Sequence, residues 1–553
     1  MAGRNKAHVL FFAAIAALMA TCTGSLGCGE EKLGFELRAY FPCNHFLKDD
    51  NPLSPPARYA EVCLNYSQQD LDAECKVTAV SSAGLDIPNL RTGRALRVSI
   101  EARATKGRGE PIAFAQSQPM IADESSLQKT TMMLSLVDRF ATATNNTNCK
   151  GRSCACSKMM VPRKDFTATV LHDGRILLVG GMDDQNNVLD NGEVFDPETG
   201  TFEWTKNRMV GGRVGHVAIR LGRDYGYKVL IVGGEGEQQW KVAEYYNPES
   251  NRFETIGKPM MSSRVHLTGT RLNDGRVLLV GGYKGAGTKT YLDNMEIFDP
   301  VNNNFVAVMG NMSEGRAYHT ATLTTVGRGQ SAFSQVLVAG GLRQGTVLKS
   351  ADVIQIQDGM TDADVKTIQM KDKRWGHAAA RVGMGDKVLI VGGSNNAAGA
   401  GVGTLNSIEM FDGFSAKDFV AWNPLDTPTL KTGRFGPTLT ELEASSGNAG
   451  VTRALVVIGG LNSATPQPST IGSVELIIPD NPADPTSFSV DSTSARIIRD
   501  TRVGHQSVRL PNGMVISMGG LYRDSMGNFA VLDSAEIYNP GPAYWCGSKA
   551  CSN

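Results

Sequence analysis

The sequence lacks several features that would point to common classes of function. It carries no net charge, because 55 Lys and Arg balance 55 Asp and Glu. Nucleic acids and anionic membrane surfaces bind basic patches, so this balance gives no electrostatic reason to expect either as the main partner. No P-loop, G-x-S-x-G or H-E-x-x-H motif is present, which removes common signals of nucleotide binding, acyl transfer and zinc proteolysis. Cysteine is also absent between Cys156 and Cys546.

The first 28 residues have the pattern of an export signal. Arg4 and Lys6 precede a short apolar stretch that ends at Ala20, which is typical of a secretory signal and too short to span a bilayer comfortably. The tetrapeptide that ends at Cys28, Ser-Leu-Gly-Cys, resembles the lipobox of bacterial lipoproteins, although Leu26 stands one place too close to the cysteine. We therefore expect lipidation of Cys28 and a location in the cell envelope, with soluble secretion as the alternative.

The cysteine count is consistent with an oxidising compartment. If Cys28 is the anchor and Cys22 leaves with the signal, eight cysteines remain, and an even set in an exported chain favours disulfides. Zinc is the alternative for the two C-x4-C pairs, but no histidine lies near either pair. The disulfide candidates are Cys43, Cys63, Cys75, Cys149, Cys154, Cys156, Cys546 and Cys551.

An internal repeat dominates the rest of the chain. Seven apolar runs each end in a Gly-Gly pair, as strands do when they enter a turn. The pairs stand at 180/181, 233/234, 281/282, 340/341, 392/393, 459/460 and 519/520. An arginine and a second strand-like segment precede each run, at Arg163, Arg213, Arg264, Arg316, Arg374, Arg434 and Arg502.

Two further strands follow each Gly-Gly pair. The third strand of each unit opens with an acid, and most copies end in Asp-Pro or Asn-Pro, which is turn chemistry. These acids are Glu193, Glu244, Glu296, Asp352, Glu409, Glu475 and Glu536. The fourth strand carries an aromatic residue in every unit except the fourth, at Phe202, Phe253, Phe305, Phe419, Phe488 and Tyr544 with Trp545.

Four antiparallel strands repeated seven times cannot bury both faces as isolated sheets, so the sheets must stack around an axis as a β-propeller. The order of Gly-Gly, acid, Asp/Asn-Pro and aromatic resembles the kelch family. The resemblance covers 163–546 and implies an all-β fold with a seven-bladed propeller. Before it we predict a small β-sandwich at 35–140 and a cysteine-containing linker at 141–162. A tail at 547–553 follows it.

Recurrence separates structural residues from candidate binding residues. A residue that recurs at the same register in every unit is expected to stabilise that unit. We therefore assign a structural role to the arginines, the acids and His216, His377 and His505. We also expect the acids to hydrogen-bond to the arginines. Residues just after each Gly-Gly pair vary and should gather around the channel, where they suit a polar ligand such as a protein, peptide or glycan. The candidates are Asp183, Glu235, Tyr283, Lys284, Arg343, Asn395, Asn462, Tyr522 and Arg523.

The kelch resemblance also implies that an enzymatic function must be considered. A copper radical oxidase of the galactose oxidase type needs a thioether between tyrosine and cysteine, and the propeller has no cysteine to form it. A sugar mutarotase would need acid/base groups such as Glu235 or Asp183. We predict a monomeric, non-catalytic binding module without cofactor or metal, and the carbohydrate-active enzyme remains the alternative.

The last prediction concerns closure of the ring. All four strands of the seventh unit are expected to come from the C-terminal end of the chain. The chain would then enter and leave the ring at one seam. We therefore expect at least one disulfide between the cysteines at 149, 154 and 156 and those at 546 and 551.

Overall fold

The structure is a computed structural model. It describes strands at 35–39, 59–66, 74–79, 95–103, 113–116, 120–121, 130–136 and 139–150. It then describes 153–540 apart from gaps at 237–239, 325–332, 383–386, 399–401, 414–427, 443–453, 464–466, 481–486 and 494–495. The expected signal segment, Cys28, Cys43, Cys546, Cys551, Phe419, Tyr544 and Trp545 lie outside the described residues.

The described part of the repeat region forms seven antiparallel sheets, which we call blades 1 to 7. From the innermost strand outward, blade 1 contains Thr167–Val170, Ile176–Val179, Gly192–Asp196 and Thr201–Trp204. Blade 2 contains Val214–Arg220, Val229–Glu235, Glu244–Asn247 and Arg252–Thr255. Blade 3 contains Thr268–Arg271, Val277–Val280, Met295–Asp299 and Asn304–Ala307. Blade 4 contains Thr320–Thr324, Phe333–Ala339, Ser350–Gln357 and Ala363–Gln369.

The remaining blades follow the same order. Blade 5 contains Ala378–Val382, Lys387–Val391 and Ile408–Asp412. Blade 6 contains Thr438–Glu441, Leu455–Ile458, Glu475–Pro479 and Phe488–Asp491. Blade 7 contains Gln506–Arg509, Val515–Met518, Ala535–Asn539 and, as its outermost strand, Arg139–Thr142. Innermost strands of neighbouring blades contact each other around a closed circle, including those of blades 7 and 1, so the seven-bladed propeller is confirmed.

Closure of the ring differs from the prediction. The fourth strand of blade 7 is Arg139–Thr142, from the N-terminal side of the propeller, and it pairs with Ala535–Asn539. The expectation that all four strands come from the C-terminal end is therefore wrong. The third strand of the blade has an outer edge that needs a partner, and Phe140 lies opposite Tyr538, just as Phe202 lies opposite Phe195 in blade 1.

Three blades extend beyond their Gly-Gly pair as two-stranded ribbons, and a single helical turn is described. The ribbons pair Tyr283–Lys284 with Thr290–Tyr291, Leu342–Arg343 with Thr346–Val347, and Leu521–Arg523 with Phe529–Val531. The 3-10 turn Arg223–Tyr225 connects the first two strands of blade 2.

The strands before residue 137 form a separate sheet. Its order is Phe35–Ala39, Thr130–Leu136, Ala113–Gln116, Ala95–Arg103, Tyr59–Tyr66 and Glu74–Ala79, with Met120–Ile121 also paired to Ala95–Arg103. A hairpin of Thr144–Lys150 and Ser153–Cys156 follows.

Disulfide bonding is described for one cysteine of the chain. Cys156 forms a disulfide, with a partner beyond the residues whose side chains are described. Cys63 and Cys75 lie directly opposite each other on neighbouring strands. The predicted seam disulfide involves Cys546 or Cys551, which are outside the described residues.

The apolar core lies between adjacent blades. In the second strand of blade 1, Leu177 and Val179 pack with Val229 and Ile231 of blade 2. The alternate residues of that strand, Ile176 and Leu178, pack with Ile516 and Met518 of blade 7. Successive side chains of a strand point to opposite faces. Because both faces are covered, the second strands are continuous apolar runs, as buried strands are.

A buried ion pair joins the segment before the first strand to the third strand in every blade. In each pair an Nη2 atom of the recurrent arginine lies 2.5 to 2.9 Å from the recurrent carboxylate, and neither side chain is more than 6% exposed. This confirms the predicted pairing. The pairs are Arg163–Glu193, Arg213–Glu244, Arg264–Glu296, Arg316–Asp352, Arg374–Glu409, Arg434–Glu475 and Arg502–Glu536.

The same arginines connect each blade to its Gly-Gly turn and to the next blade. Every guanidinium donates to the carbonyl of the first glycine in its own blade, as Arg213 does to Gly233 at 3.0 Å. Every arginine carbonyl accepts the N–H of the second glycine in the preceding blade, and Gly520 to Arg163 completes the circle at 2.8 Å. A Cβ on Gly180 would lie 2.5 Å from the Arg213 carbonyl oxygen, so the turn requires glycine.

Buried histidines form a second connection between blades. His216, His319, His377 and His505 each place Nε2 2.8 to 3.1 Å from a threonine hydroxyl on the innermost strand of the preceding blade. Burial is the largest cause that lowers the pKa of His216 and His319 to about 3. These imidazoles are therefore neutral at pH 7. The structural role predicted for three of them extends to His319.

We predict that removing one partner of a buried ion pair strongly destabilises the fold. Arg434→Leu should lower the free energy of unfolding by about 3 to 5 kcal/mol, because it leaves the carboxylate of Glu475 buried and uncompensated. Urea unfolding monitored by tryptophan fluorescence measures the change. Asp190→Ala is the control: it removes an exposed ion pair with Arg208 and should cost about 0 to 1 kcal/mol. Equal costs in the two variants would contradict a structural role for the buried pairs.

We also predict a loss of stability in acid that arises from the buried histidines. The folded-state pKa of His319 is lowered, so the unfolded chain binds the proton first as pH falls below about 6.5. The free energy of unfolding should then fall by up to about 1.4 kcal/mol per pH unit per histidine until pH approaches 3. Urea unfolding at pH 7.5, 6.0 and 5.0 should show a shallower decline for His319→Gln than for the parent. Parallel declines would refute this origin.

Candidate functional site

The residue two places after each recurrent arginine has left-handed backbone in all seven blades. Four blades have glycine there, at Gly215, Gly376, Gly436 and Gly504. The other three have Asp165 (φ 54°), His266 (φ 52°) and Tyr318 (φ 56°). Side chains rarely adopt this conformation, since Cβ approaches the following carbonyl oxygen.

These seven positions form a ring at the mouth of the central channel. Backbone hydrogen bonds link members on neighbouring blades: the His266 N–H donates to the Gly215 carbonyl at 2.8 Å, and the Tyr318 N–H to the His266 carbonyl at 3.3 Å. The Asp165 N–H donates to the Gly504 carbonyl at 2.8 Å across the seam. The ring is therefore a fixed part of the frame and carries three side chains.

The glycines of the ring leave room for side chains from neighbouring blades. A Cβ on Gly215 would lie 3.0 Å from His266 Cε1, and a Cβ on Gly504 would lie 2.6 Å from Asp165 Oδ1. The Phe435 ring comes still closer to the Cβ position of Gly376. Side chains thus lie over the glycines of the preceding blade.

The residues that follow the Gly-Gly pairs lie directly beside this ring. Tyr283 bridges to Val265, and Glu235 pairs with Val214, so each lies next to the start of its innermost strand. Tyr283 is 1% exposed, and its hydroxyl donates to Glu235 Oε1 at 3.2 Å. The hydroxyls of Tyr283 and Tyr318 also share a hydrogen bond. Blades 2, 3 and 4 therefore meet in one polar network.

Aromatic rings continue from this network across four blades. His266 stacks on Tyr318 with 4.0 Å between ring centroids. Trp375 meets the edge of Tyr318 at 5.7 Å and that of Phe435 at 4.6 Å. All four rings are half-buried, so the described structure leaves part of each ring accessible at the channel mouth. We define the mouth cluster as Asp165, Glu235, His266, Tyr283, Tyr318, Trp375 and Phe435.

Burial sets the protonation of the aromatic members. It raises the pKa of Tyr318 to about 12 and raises the pKa of Tyr283, with the Tyr318 hydroxyl and the Glu235 carboxylate adding to the latter shift. Burial lowers the pKa of His266 to about 3, and the charge of Lys289 acts in the same direction. At neutral pH the tyrosines are protonated and the imidazole is uncharged, so all three act as neutral hydrogen-bonding groups.

Asp165 is the member of the ring in blade 1, and its carboxylate lies beside Gly504 of blade 7. Its side chain has solvent-accessible surface, yet the surrounding protein raises the pKa of its carboxyl group, while the charge of Lys164 opposes the rise. The Lys164 ammonium itself donates to Asn186 Oδ1 at 2.7 Å. The Asp165 charge is also a minor cause of the raised Tyr318 pKa, after burial.

Only Tyr283 and Glu235 of the nine predicted candidates belong to the mouth cluster. Side chains alternate along a strand: the first residue after Gly-Gly turns inward, whereas Lys284 and Arg343 in the second place are exposed. Asp183 accepts hydrogen bonds from Gln185 and Asn187 in its own loop. Four others lie along the rim: Asn395 is exposed, Asn462 accepts from the Ser469 hydroxyl, Tyr522 is half-buried, and Arg523 donates to Gln467.

Sequence reasoning missed five members of the cluster: Asp165, His266, Tyr318, Trp375 and Phe435. The first three of these have a signal in the repeat. The arginines and three histidines of these segments were assigned to structure, although the second residue after the arginine is glycine in four units and a larger residue in three. A departure from glycine at a register that favours it was the informative feature.

Other possible sites are limited in the described part of the chain. Those residues contain no group of three or more His, Cys, Asp or Glu placed to hold a metal. Within the same residues, no helix has the length and apolar character needed to cross a membrane. An open depression of about 490 Å³ lies on blade 4, lined by Phe333, Gln355 and Asp364 among others, at the end of the strands opposite to the Gly-Gly turns.

Comparisons with known proteins agree with the repeat. The family model described as "Kelch motif" matches residues 163–203, which run from the recurrent arginine of blade 1 into its fourth strand. No curated protein matches. A solved structure titled "Structure of YjhT" is 14% identical, with a TM-score of 0.42, over 61% of this chain and 99% of that one. The described part of the repeat region is therefore a seven-bladed β-propeller whose first blade matches the kelch motif.

Proposed function

We propose that the propeller is an exported binding module that holds a glycan at the mouth cluster. The observation that carries this proposal is the set of three side chains in left-handed backbone at a register that glycine occupies in the other blades. Each such residue costs on the order of 1 to 2 kcal/mol. Strained side chains of this kind concentrate at functional sites, and the glycines at the other four positions show that the fold can be built without them.

The chemistry of the cluster suits a sugar. The aromatic rings of His266, Tyr318 and Trp375 offer faces and edges to the C–H surface of a pyranose. Glu235 and Asp165 accept hydrogen bonds from hydroxyl groups, and the tyrosine hydroxyls both donate and accept. Concave sites of this type combine apolar walls with a few fixed polar groups.

Export supports the proposal from another part of the chain. The charged and apolar segment before Ala20 and the lipobox-like sequence at Cys28 favour a location in the cell envelope.

A carbohydrate-active enzyme is the second candidate. Glu235 bonded to Tyr283 at 3.2 Å and Asp165 with its raised pKa could transfer protons to a bound sugar from two sides. Incubation with reducing sugars, followed by NMR of anomer exchange, separates the candidates. Exchange that is lost in Glu235→Gln favours the enzyme, and saturable binding without exchange favours the module.

We predict that Asp165→Gly separates stability from binding. Relief of the left-handed strain, about 1 to 2 kcal/mol, should at least offset the added backbone entropy of glycine, about 0.5 to 1 kcal/mol. The free energy of unfolding should therefore not decrease. Affinity for a glycan identified on an array should fall at least about tenfold, because a hydrogen bond to a charged group is lost.

Thermal unfolding and isothermal titration calorimetry on the same preparations test both parts. Asp184→Gly, on an exposed loop after the Gly-Gly pair of blade 1, is the control and should keep full affinity. Undiminished binding by Asp165→Gly, together with loss of binding in Asp184→Gly, would move the site from the mouth cluster to the outer loops.

A further inference from the structure

The charges of the mouth cluster have one sign. Its two ionisable acids are Asp165 and Glu235, and it contains no lysine or arginine. The arginines at the same level are committed to the buried pairs. Lys164, the neighbour of Asp165 in sequence, donates its ammonium to Asn186 on the adjoining loop. The cluster therefore presents carboxylates and aromatic rings to whatever enters the channel mouth.

One cation does reach the cluster from the protein itself. The Lys289 Nζ atom lies 4.3 Å from the centroid of the Tyr283 ring, a distance at which an ammonium is attracted by the ring face. Lys289 is an exposed residue in the turn of the blade 3 ribbon, between Tyr283–Lys284 and Thr290–Tyr291. Its charge also contributes, after burial, to the lowered pKa of His266.

The ring beneath this ammonium is also bound to a carboxylate. The Tyr283 hydroxyl donates to Glu235, so electron density from the acid strengthens the negative face that Lys289 covers. Lysine side chains on exposed turns have many rotamers and lose much conformational entropy when fixed. A ligand ammonium held by a sugar ring avoids much of that loss and can take the place of Lys289.

We infer that the mouth cluster selects an amino sugar, with the protonated primary amine of a hexosamine over the Tyr283 ring in the position that Lys289 occupies in the free protein. This inference rests on the proposed glycan binding and adds the charge of the ligand. An acidic sugar is disfavoured, because its carboxylate would approach Asp165 and Glu235. An N-acetylated sugar has no charge with which to displace Lys289.

The test compares matched ligands on the full-length protein by isothermal titration calorimetry. The probes are the trisaccharide of β-1,4-linked glucosamine, its fully N-acetylated counterpart, sialyllactose and lysine amide. The glucosamine trisaccharide should bind at least about tenfold more tightly than the acetylated one, which corresponds to about 1.4 kcal/mol. Glu235→Gln should reduce that preference by a similar factor.

Variants of Lys289 test whether this lysine competes with the ligand, because loss of a competitor should tighten binding, whereas loss of a structural residue should not. Lys289→Ala removes the internal competitor and should tighten binding of the glucosamine trisaccharide severalfold, whereas Lys289→Arg keeps a cation and should resemble the parent. Lys349→Ala is the control, because Lys349 is exposed and follows the corresponding ribbon of blade 4. It should leave the affinity unchanged. Thermal unfolding confirms that all variants are folded.

Each outcome has a distinct meaning. Equal binding of the two trisaccharides, or a preference for sialyllactose, overturns the amino-sugar inference and leaves the glycan-binding function intact. Binding of lysine amide without any of the three saccharides overturns the inference in favour of a basic peptide and also removes the glycan function. Failure of all four probes overturns both. Weaker glucosamine binding in Lys289→Ala would show that the lysine holds the ligand instead of competing with it.

Discussion

The structure depends on a buried arginine that recurs once in every blade. A guanidinium out of contact with water must have its charge and its donors satisfied, and the recurrent acid and the first glycine of the turn do this within the blade. The arginine carbonyl meanwhile accepts the N–H of the second glycine of the preceding blade. One residue thus fixes the inner end of its own sheet and the spacing to its neighbour. Because that junction is constant, blades can differ in their loops without disturbing the circle.

The position of the mouth cluster follows from this frame. Two residues after the arginine the chain must turn through left-handed backbone to begin the innermost strand, and every blade makes this turn at the channel mouth. Glycine makes the turn without strain and places no side chain at that position of the ring. Where Asp165, His266 and Tyr318 stand instead, the frame holds a side chain at a defined position around the axis. Rigid support of this kind is what a binding site needs, since little ordering remains to be done when the ligand arrives.

Much of this architecture was predictable because the signals repeat. The buried pairs were expected even for Asp352 and Glu475, whose units are degraded in other respects, because register alone places them opposite their arginines. Closure was not predictable in the same way. The strand around Phe140 stands outside the periodic region and has one aromatic residue as its only resemblance to a fourth strand. Five members of the mouth cluster were not predicted for the opposite reason. They lie inside a motif whose recurrence concealed the exceptions, and strand alternation turned most of the loop candidates outward.

Closure by Arg139–Thr142 has a consequence for how the molecule is made. This strand is synthesised nearly 400 residues before its partner Ala535–Asn539. During synthesis it therefore has no strand of blade 7 to pair with until the chain has been made as far as Asn539. The last sheet to be completed uses the earliest of the propeller's strands, so an arrested or truncated translation product lacks a finished circle however many blades it contains. The ring can therefore close only after the chain has been synthesised as far as the third strand of blade 7.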